Sequence, residues 1–446
     1  MMNKIRASLS KLFLPGIRLK RWLLLMIIGL VSLILFFMST FGKAVANVFG
    51  FLESKLALAF RLSDIGDGQK LLVKTALLLI GLGCLYLGTK HLFGILIDAL
   101  IPEKKGKIAH LLYKNSELNQ GKRVVVIGGG TGLNSILTGL KQYTNNITAI
   151  ITIADEGRSS RILRNEFGML PPGDFRNCLV ALSDSGPLMA KLLQYRFQKG
   201  KGLKGHPLGN LLITAMTHLT GDFEKGLEEI EKILSIRGKV LPVSLGKTSL
   251  CAVLENGKTI REEPNVEEHK TKYKSEIKKL FLDPPVAITS RAREAIRSAD
   301  LIVLGPGSLY TSILPNILVK GVVDAIKEAK RGNAKTKGAK VAYVCNVMTQ
   351  PGETDYYTAS DHVEHMVQYL GERVLDTVIL NDEKAPEQLY EKYKKEGAQR
   401  VKFDKESLHG FEEQYHIKVV LAKLMTKENL LRHDPDKLAR TVLELV

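Results

Sequence analysis

What is scarce in these 446 residues sets the first limits. The four cysteines, Cys84, Cys178, Cys251 and Cys345, lie far apart and form no C-x-x-C pair, which excludes a zinc knuckle or a disulfide framework and fits reduced thiols. Aromatic residues make up 7% of the chain with a single Trp, and neither a helix-turn-helix pattern nor an aromatic-studded basic strand is present, so nucleic acid is not an expected partner. G-x-x-x-x-G-K-[ST], G-x-S-x-G and histidines at metal-ligand spacing are all missing, which disfavours an ATPase of the P-loop type and a serine hydrolase. Internal repeats and low-complexity segments are absent as well.

Positive charge and long apolar runs are what the N-terminal part does have. Of the formal net charge of +18, residues 1–123 supply most, with 18 Lys and Arg against 6 Asp and Glu. Residues 22–41 are 20 positions without a charge, the length a helix needs to cross hydrocarbon. A second apolar stretch, 71–101, is interrupted by Lys74, Lys90, His91 and Asp98 and spans only if its lysines snorkel. No A-x-A-like site follows the first run, so a retained anchor is expected rather than a cleaved signal. The basic flanks place both ends in the cytoplasm. These features predict a membrane protein with two spans: an anchor over 1–101 with helices about 22–41 and 71–97, an outer loop in which 51–62 lies on the membrane, a basic linker over 102–121, and a cytoplasmic domain over 122–446. The lipid bilayer, with its anionic headgroups, is the partner this charge implies.

From Lys122 onward short β-rich runs at 124–127, 147–154, 301–304, 341–345, 377–380 and 417–421 alternate with helical patterns. Such alternation predicts an α/β fold, a Rossmann-like doubly wound and mostly parallel sheet covered by helices on both faces. Between about 238 and 285 the texture changes to three short antiparallel strands, at 240–243, 249–254 and 258–261, with Asn256-Gly257 as a hairpin turn, read as a small β-rich insertion.

The chemistry is concentrated where strands end in loops. Val124-Val125-Val126-Ile127 breaks at Gly128-Gly129-Gly130-Thr131-Gly132-Leu133, after which Leu133, Ile136, Leu137 and Leu140 follow helical spacing. Strand, glycine loop and helix together make a phosphate cradle, because backbone N–H groups without Cβ atoms in the way can approach an anion at a helix N-terminus. Asp155 stands at the end of the next strand, where such folds place the acid that meets a ribose or a metal, or serves as a helix cap. A second strand and glycine loop, ending in Gly305-Pro306-Gly307-Ser308, offers another phosphate or sugar contact or a plain turn, with Ser308 as helix N-cap. Pro171-Pro172-Gly173-Asp174-Phe175-Arg176-Asn177 either holds Asp174, Arg176 and Asn177 ready for a ligand or is a rigid turn whose Asp174 caps the helix near Arg176. His206 and Asn210 open an apolar helix, with His206 read as a structural donor. The amide-rich segment 345–355 suits neutral recognition of sugar or base edges. His362 and His365 are read as a solvated helix face before they are read as metal ligands.

Five segments in series closely resemble the gluconeogenesis-factor family (YvcK-like), which is related to 2-phospho-L-lactate transferase (CofD-like). They are Gly128 to Leu133, Pro171 to Asn177, Leu208-Gly209-Asn210-Leu211, Gly305 to Ser312, and Met348-Thr349-Gln350 with Gly352-Glu353-Thr354-Asp355. The resemblance implies a domain that binds a nucleotide sugar, UDP-N-acetylglucosamine above all, and regulates cell shape and cell-wall synthesis during gluconeogenic growth through an unidentified cell-envelope regulatory protein. It maps ligand binding to Gly129, Gly130, Thr131 and Gly132, to Gly307 and Ser308, and to Asn177 and Asn210. The transferase relatives imply Mg²⁺ on Asp155, with Asp174 beside it. Arg158 and Arg161 stand where the family has glycines and add two cations able to grip a diphosphate. Two readings follow: a binding regulator without covalent chemistry, or a Mg²⁺-dependent transferase using Asp155, Arg158 and Arg161. A homo-oligomer is left open.

Overall fold

The computed structural model describes residues 24–34, 36, 67–100 and 116–446, apart from 333–337, 385 and 427–430. The chain divides into two compact units, Met1–Tyr113 and Lys114–Val446. In the first, residues 24–34 are helical and a 34-residue helix covers Asp67–Leu100. The two meet where Gly29 faces Gly81, so closely that a Cβ on Gly29 would sit 2.9 Å from the Leu85 nitrogen.

The expectation of a two-span membrane protein is overturned here. Among the described residues no helix is long and apolar enough to cross a membrane. Lys74 and Lys90 interrupt the apolar sequence of Asp67–Leu100. Residues 22, 23, 35 and 37–41 of the first expected span, and 51–62, lie outside the described residues.

The second unit is built on seven parallel strands in the order β10-β9-β8-β7-β1-β2-β3. These are β1 (Val124–Gly128), β2 (Ile147–Ile151), β3 (Lys239–Pro242), β7 (Leu301–Leu304), β8 (Lys340–Val344), β9 (Thr377–Asn381) and β10 (Lys418–Ala422). β1 and β7, side by side at the centre, are buried along their whole length, as apolar strands covered on both faces must be. From β1 the chain moves outward to β2 and β3, then returns to the other side through β7, so the order reverses between β1 and β7. A crevice opens there beyond the carboxyl ends of the strands.

A three-stranded antiparallel sheet, β5-β4-β6, uses Ser249–Leu254 (β4), Thr259–Arg261 (β5) and Ile277–Asp283 (β6). Residues 240–243, expected among these antiparallel strands, instead lie in β3 and its extension at the edge of the large sheet, parallel to β2. Their burial on both faces suits that edge, whereas a hairpin would leave one face wet. Helices Glu263–Glu267 and His269–Tyr273 link β5 to β6.

Helix Gly130–Leu140 packs against Gly173–Leu182 and against the C-terminal helix Pro435–Leu443. Gly139 makes the second contact feasible, because a Cβ there would collide with the Pro435 carbonyl. Alanine should therefore destabilise at Gly139 despite its higher helix propensity, by about 2 kcal/mol. Gly410→Ala, where the added carbon meets nothing, should stabilise by about 1 kcal/mol. Thermal unfolding of the two variants should give shifts of opposite sign; a rise for Gly139→Ala would refute the close-packing argument.

Candidate functional site

The crevice between β1 and β7 opens into a cleft of about 920 Å³. Both glycine loops reach it, through Thr131 and Gly132 on one side and Pro306, Gly307 and Ser308 on the other. The loops touch: a Cβ on Gly132 would collide with the Pro306 carbonyl, and one on Gly130 with the Asp174 backbone. The first loop therefore needs glycine for loop-on-loop packing, quite apart from any ligand.

The amides that open helix Gly130–Leu140 are not bare. The Asp174 carboxylate accepts the backbone N–H groups of Gly130 and Thr131, so an internal anion occupies the position expected for a phosphate. Asp174 thus caps this helix rather than its own, which begins at Gly173. The second loop is likewise tied: Asn346 accepts the Gly307 N–H at 3.1 Å and donates to the Gly307 carbonyl at 2.8 Å. Ser308 behaves as expected, accepting the Thr311 N–H at the start of the turn Leu309–Ile313.

Of the residues singled out from sequence, Thr131, Gly132, Asp155, Asp174, Gly307 and Ser308 line this one cleft. Gly129 and Gly130 do not line it; they stand behind, against Ser312 and Asp174. Asn177 and Asn210 do not line it either, because both are spent on a half-buried guanidinium. Arg176 donates to Asn210 and to Asn177 at 2.8 Å each, Asn177 donates to the Thr131 hydroxyl at 3.1 Å, and Asn210 donates to Ser159, which also contacts His206. This network braces the wall of the cleft from outside, and His206 is its structural end. Arg158 and Arg161 are exposed on helix Arg158–Phe167 and do not line the cleft; the helix turns its buried face, Ser159, Ser160 and Leu163, inward instead. His362 is buried rather than solvated, and burial pulls it down to about 4, while His365 sits with Tyr310 and Tyr357 in a hydrogen-bonded aromatic cluster.

The remaining wall is acidic. Asp155 and Asp174 are joined by Glu263 and Glu267 from the linking helices of the small sheet. Gly173 allows the closeness, since a Cβ there would lie 2.6 Å from an Asp155 oxygen. Burial, then the Asp155 charge, pushes Asp174 up to about 7 and Glu263 up to about 9. At neutral pH Glu263 is therefore protonated and Asp174 about half so, and the wall carries much less negative charge than its carboxyls suggest. The donors do not fit a resident metal: among the described residues no group of three or more His, Cys, Asp or Glu could hold one, and Asp174 is engaged with two amides.

Sequence reasoning missed Glu263 and Glu267, in the charged stretch of the β-rich insertion, and Tyr393, Arg432 and His433, which also line the cleft. It also missed what Glu353 does. That residue is fully buried; one oxygen accepts from the Ser308 hydroxyl and the Tyr310 N–H, and the other has no partner. Burial outweighs these hydrogen bonds and lifts it from 4.5 to about 7. The folded protein holds this proton more tightly than the unfolded chain, so the group adds stability that is complete below about 4.5 and is lost as pH rises through about 7. Glu353→Gln keeps an acceptor and cannot ionise. Its stability relative to the native chain should rise between pH 5 and pH 8, by up to about 3 kcal/mol. Denaturant titrations at both pH values check this; an equal difference at each would refute it.

Comparison with known proteins agrees with this architecture. Residues 124–425 match the family model described as 2-phospho-L-lactate transferase CofD. The gluconeogenesis factor of Bacillus subtilis is 44% identical over 331 residues, covering 74% of this chain and 99% of that protein. A Clostridium acetobutylicum relative is 38% identical over 444 residues, 97% of this chain and 90% of its own, so that likeness takes in the N-terminal unit. A crystal structure of a Bacillus halodurans protein superposes with a TM-score of 0.66 at 43% identity, covering 73% of this chain and all of that one. With its fold, its paired glycine loops and these matches agreeing, the chain belongs to the gluconeogenesis-factor family of CofD-like proteins.

Proposed function

We propose that the cleft binds a nucleotide sugar, UDP-N-acetylglucosamine in particular, and that the protein is a regulator coupling that metabolite to cell shape and cell-wall synthesis during gluconeogenic growth, through a cell-envelope regulatory partner. One observation carries the reading: a single cleft at the reversal of strand order joins three chemically distinct zones. The protonatable wall of Asp155, Asp174, Glu263 and Glu267 suits the hydroxyl groups of a sugar, since carboxyls accept and, when protonated, donate. The middle, between the two loops, offers hydroxyls and amides from Thr131, Asn134, Ser135 and Ser312 for a diphosphate. The far end presents the Tyr393 ring and the exposed Arg432 guanidinium, which forms no ion pair among the described residues. The volume of about 920 Å³ is at the upper end of small-molecule sites and suits a ligand of three parts.

The description of the family model, a transferase, supports a second reading in which the bound nucleotide donor reacts. Calorimetric titration of the full chain with UDP-N-acetylglucosamine, with and without Mg²⁺, separates the two. Micromolar binding indifferent to metal, with the donor recovered intact, supports the regulator. Strict metal dependence with donor turnover supports the transferase, and absence of binding overturns both.

The internal anion adds a sharper expectation. Asp174→Asn keeps an acceptor for the Gly130 and Thr131 amides and removes a charge facing the diphosphate. It should tighten binding about tenfold near pH 8, where Asp174 is ionised, and much less near pH 6, where it is already protonated. Equal affinities of variant and native chain at both pH values would show that Asp174 does not face the ligand.

A further inference from the structure

Two buried polar atoms on the lining of the cleft have no partner among the described residues: Nε2 of His433 and Oε1 of Gln350. His433 is only 5% exposed. A buried donor or acceptor left unpaired is unfavourable, and the great majority in folded proteins are satisfied, so two on the lining of one cleft point to a ligand that completes them. Their chain neighbours pack together: Val347 and Met348, just before Gln350, share a small separate core with Met425 and Leu431, which precede His433.

The position of His433 is rigid. Its own segment bridges to Met425, and the next residue, Asp434, caps helix Pro435–Leu443 by accepting the Asp436 and Lys437 N–H groups. That helix packs on Gly130–Leu140 at Gly139. A side chain held this way reads a ligand without having to be ordered first. Burial draws the imidazole down to about 4, so at neutral pH it is uncharged and recognises neutral groups, not phosphate.

We propose that the part of the cleft lined by His433 and Gln350 is a nucleobase subsite in which the two select a base edge carrying a ring N–H beside a carbonyl. Gln350 Oε1 accepts the ring N–H, the neutral His433 donates to the adjacent carbonyl, and Tyr393 offers a ring surface alongside. Uracil and guanine present that edge. Cytosine and adenine present a ring acceptor beside an amino group, which leaves the Gln350 oxygen facing a lone pair. The inference rests on the nucleotide-sugar reading and adds to it which side chains choose the base.

The test is calorimetry on the full chain with UDP, GDP, CDP and ADP, for the native protein and for His433→Phe and His433→Asn. The native protein should bind UDP and GDP at least tenfold tighter than CDP and ADP. His433→Phe should weaken UDP tenfold or more and flatten the ranking, and His433→Asn, which retains an N–H donor, should restore part of it. The melting temperature of His433→Phe should not fall, because an unpaired buried nitrogen is removed; a merely structural histidine would give the opposite, lower stability with the ranking intact. A native protein that binds all four diphosphates alike, or a variant with unchanged ranking, overturns this inference and leaves the nucleotide-sugar reading standing. Failure of every nucleotide and of the nucleotide sugar to bind the native protein overturns both.

Discussion

The Asp174 carboxylate, held by the Gly130 and Thr131 amides, is the interaction on which the rest of the site depends. A helix N-terminus at the carboxyl edge of a parallel sheet is a natural anion site, and here the protein supplies the anion itself. Because Asp174 belongs to helix Gly173–Leu182, the same contact joins that helix to Gly130–Leu140. A Cβ at Gly130 would collide with the Asp174 backbone, and one at Gly132 with the Pro306 carbonyl of the second loop. The glycines serve the joint first and the ligand second.

A consequence is electrostatic. Placing Asp155, Asp174 and Glu263 on one wall would repel any phosphate if all three were ionised. Burial and mutual repulsion resolve this by retaining protons, on Glu263 firmly and on Asp174 near neutrality. The wall thereby becomes a set of hydrogen-bonding groups of variable charge, better matched to hydroxyls than to a bare diphosphate. The Arg176 network outside the wall contributes a fixed positive charge close to Asp155 and Asp174 without entering the cleft.

Much of this was legible from residues alone, for reasons that also explain the failures. Alternating apolar strands and helical periodicity located β1, β2, β7, β8, β9 and the edge strand β10 to within a few residues; for all but β10 the reason is that a strand buried on both faces has little freedom of composition. Six of the proposed contact residues meet in one cleft because glycine loops at strand ends are local signals with local causes. Residues whose role is set by distant partners were not legible. Asn177 and Asn210 read as ligand contacts, yet they answer to Arg176; the charge run containing Glu263 was assigned no role beyond a β-rich insertion, yet Glu263 accepts the Glu156 N–H in the loop after β2. The membrane expectation failed for a different reason. It rested on apolar length, with the second span made conditional on snorkelling by Lys74 and Lys90, and among the described residues no helix is long and apolar enough to cross a membrane.

The cleft draws on two packing units. Its glycine loops end strands of the large sheet, whereas Val347 and Met348, which lead to Gln350, and Leu431, which leads to His433, pack in a small core of their own with Ala398 and Met425. On the proposed reading a ligand that touches both bridges the two, with His433 bearing on which ligand is chosen and Asp174 on how tightly a diphosphate is held. The two are mechanically joined, because Asp434 caps helix Pro435–Leu443, which packs on the helix whose first amides face Asp174.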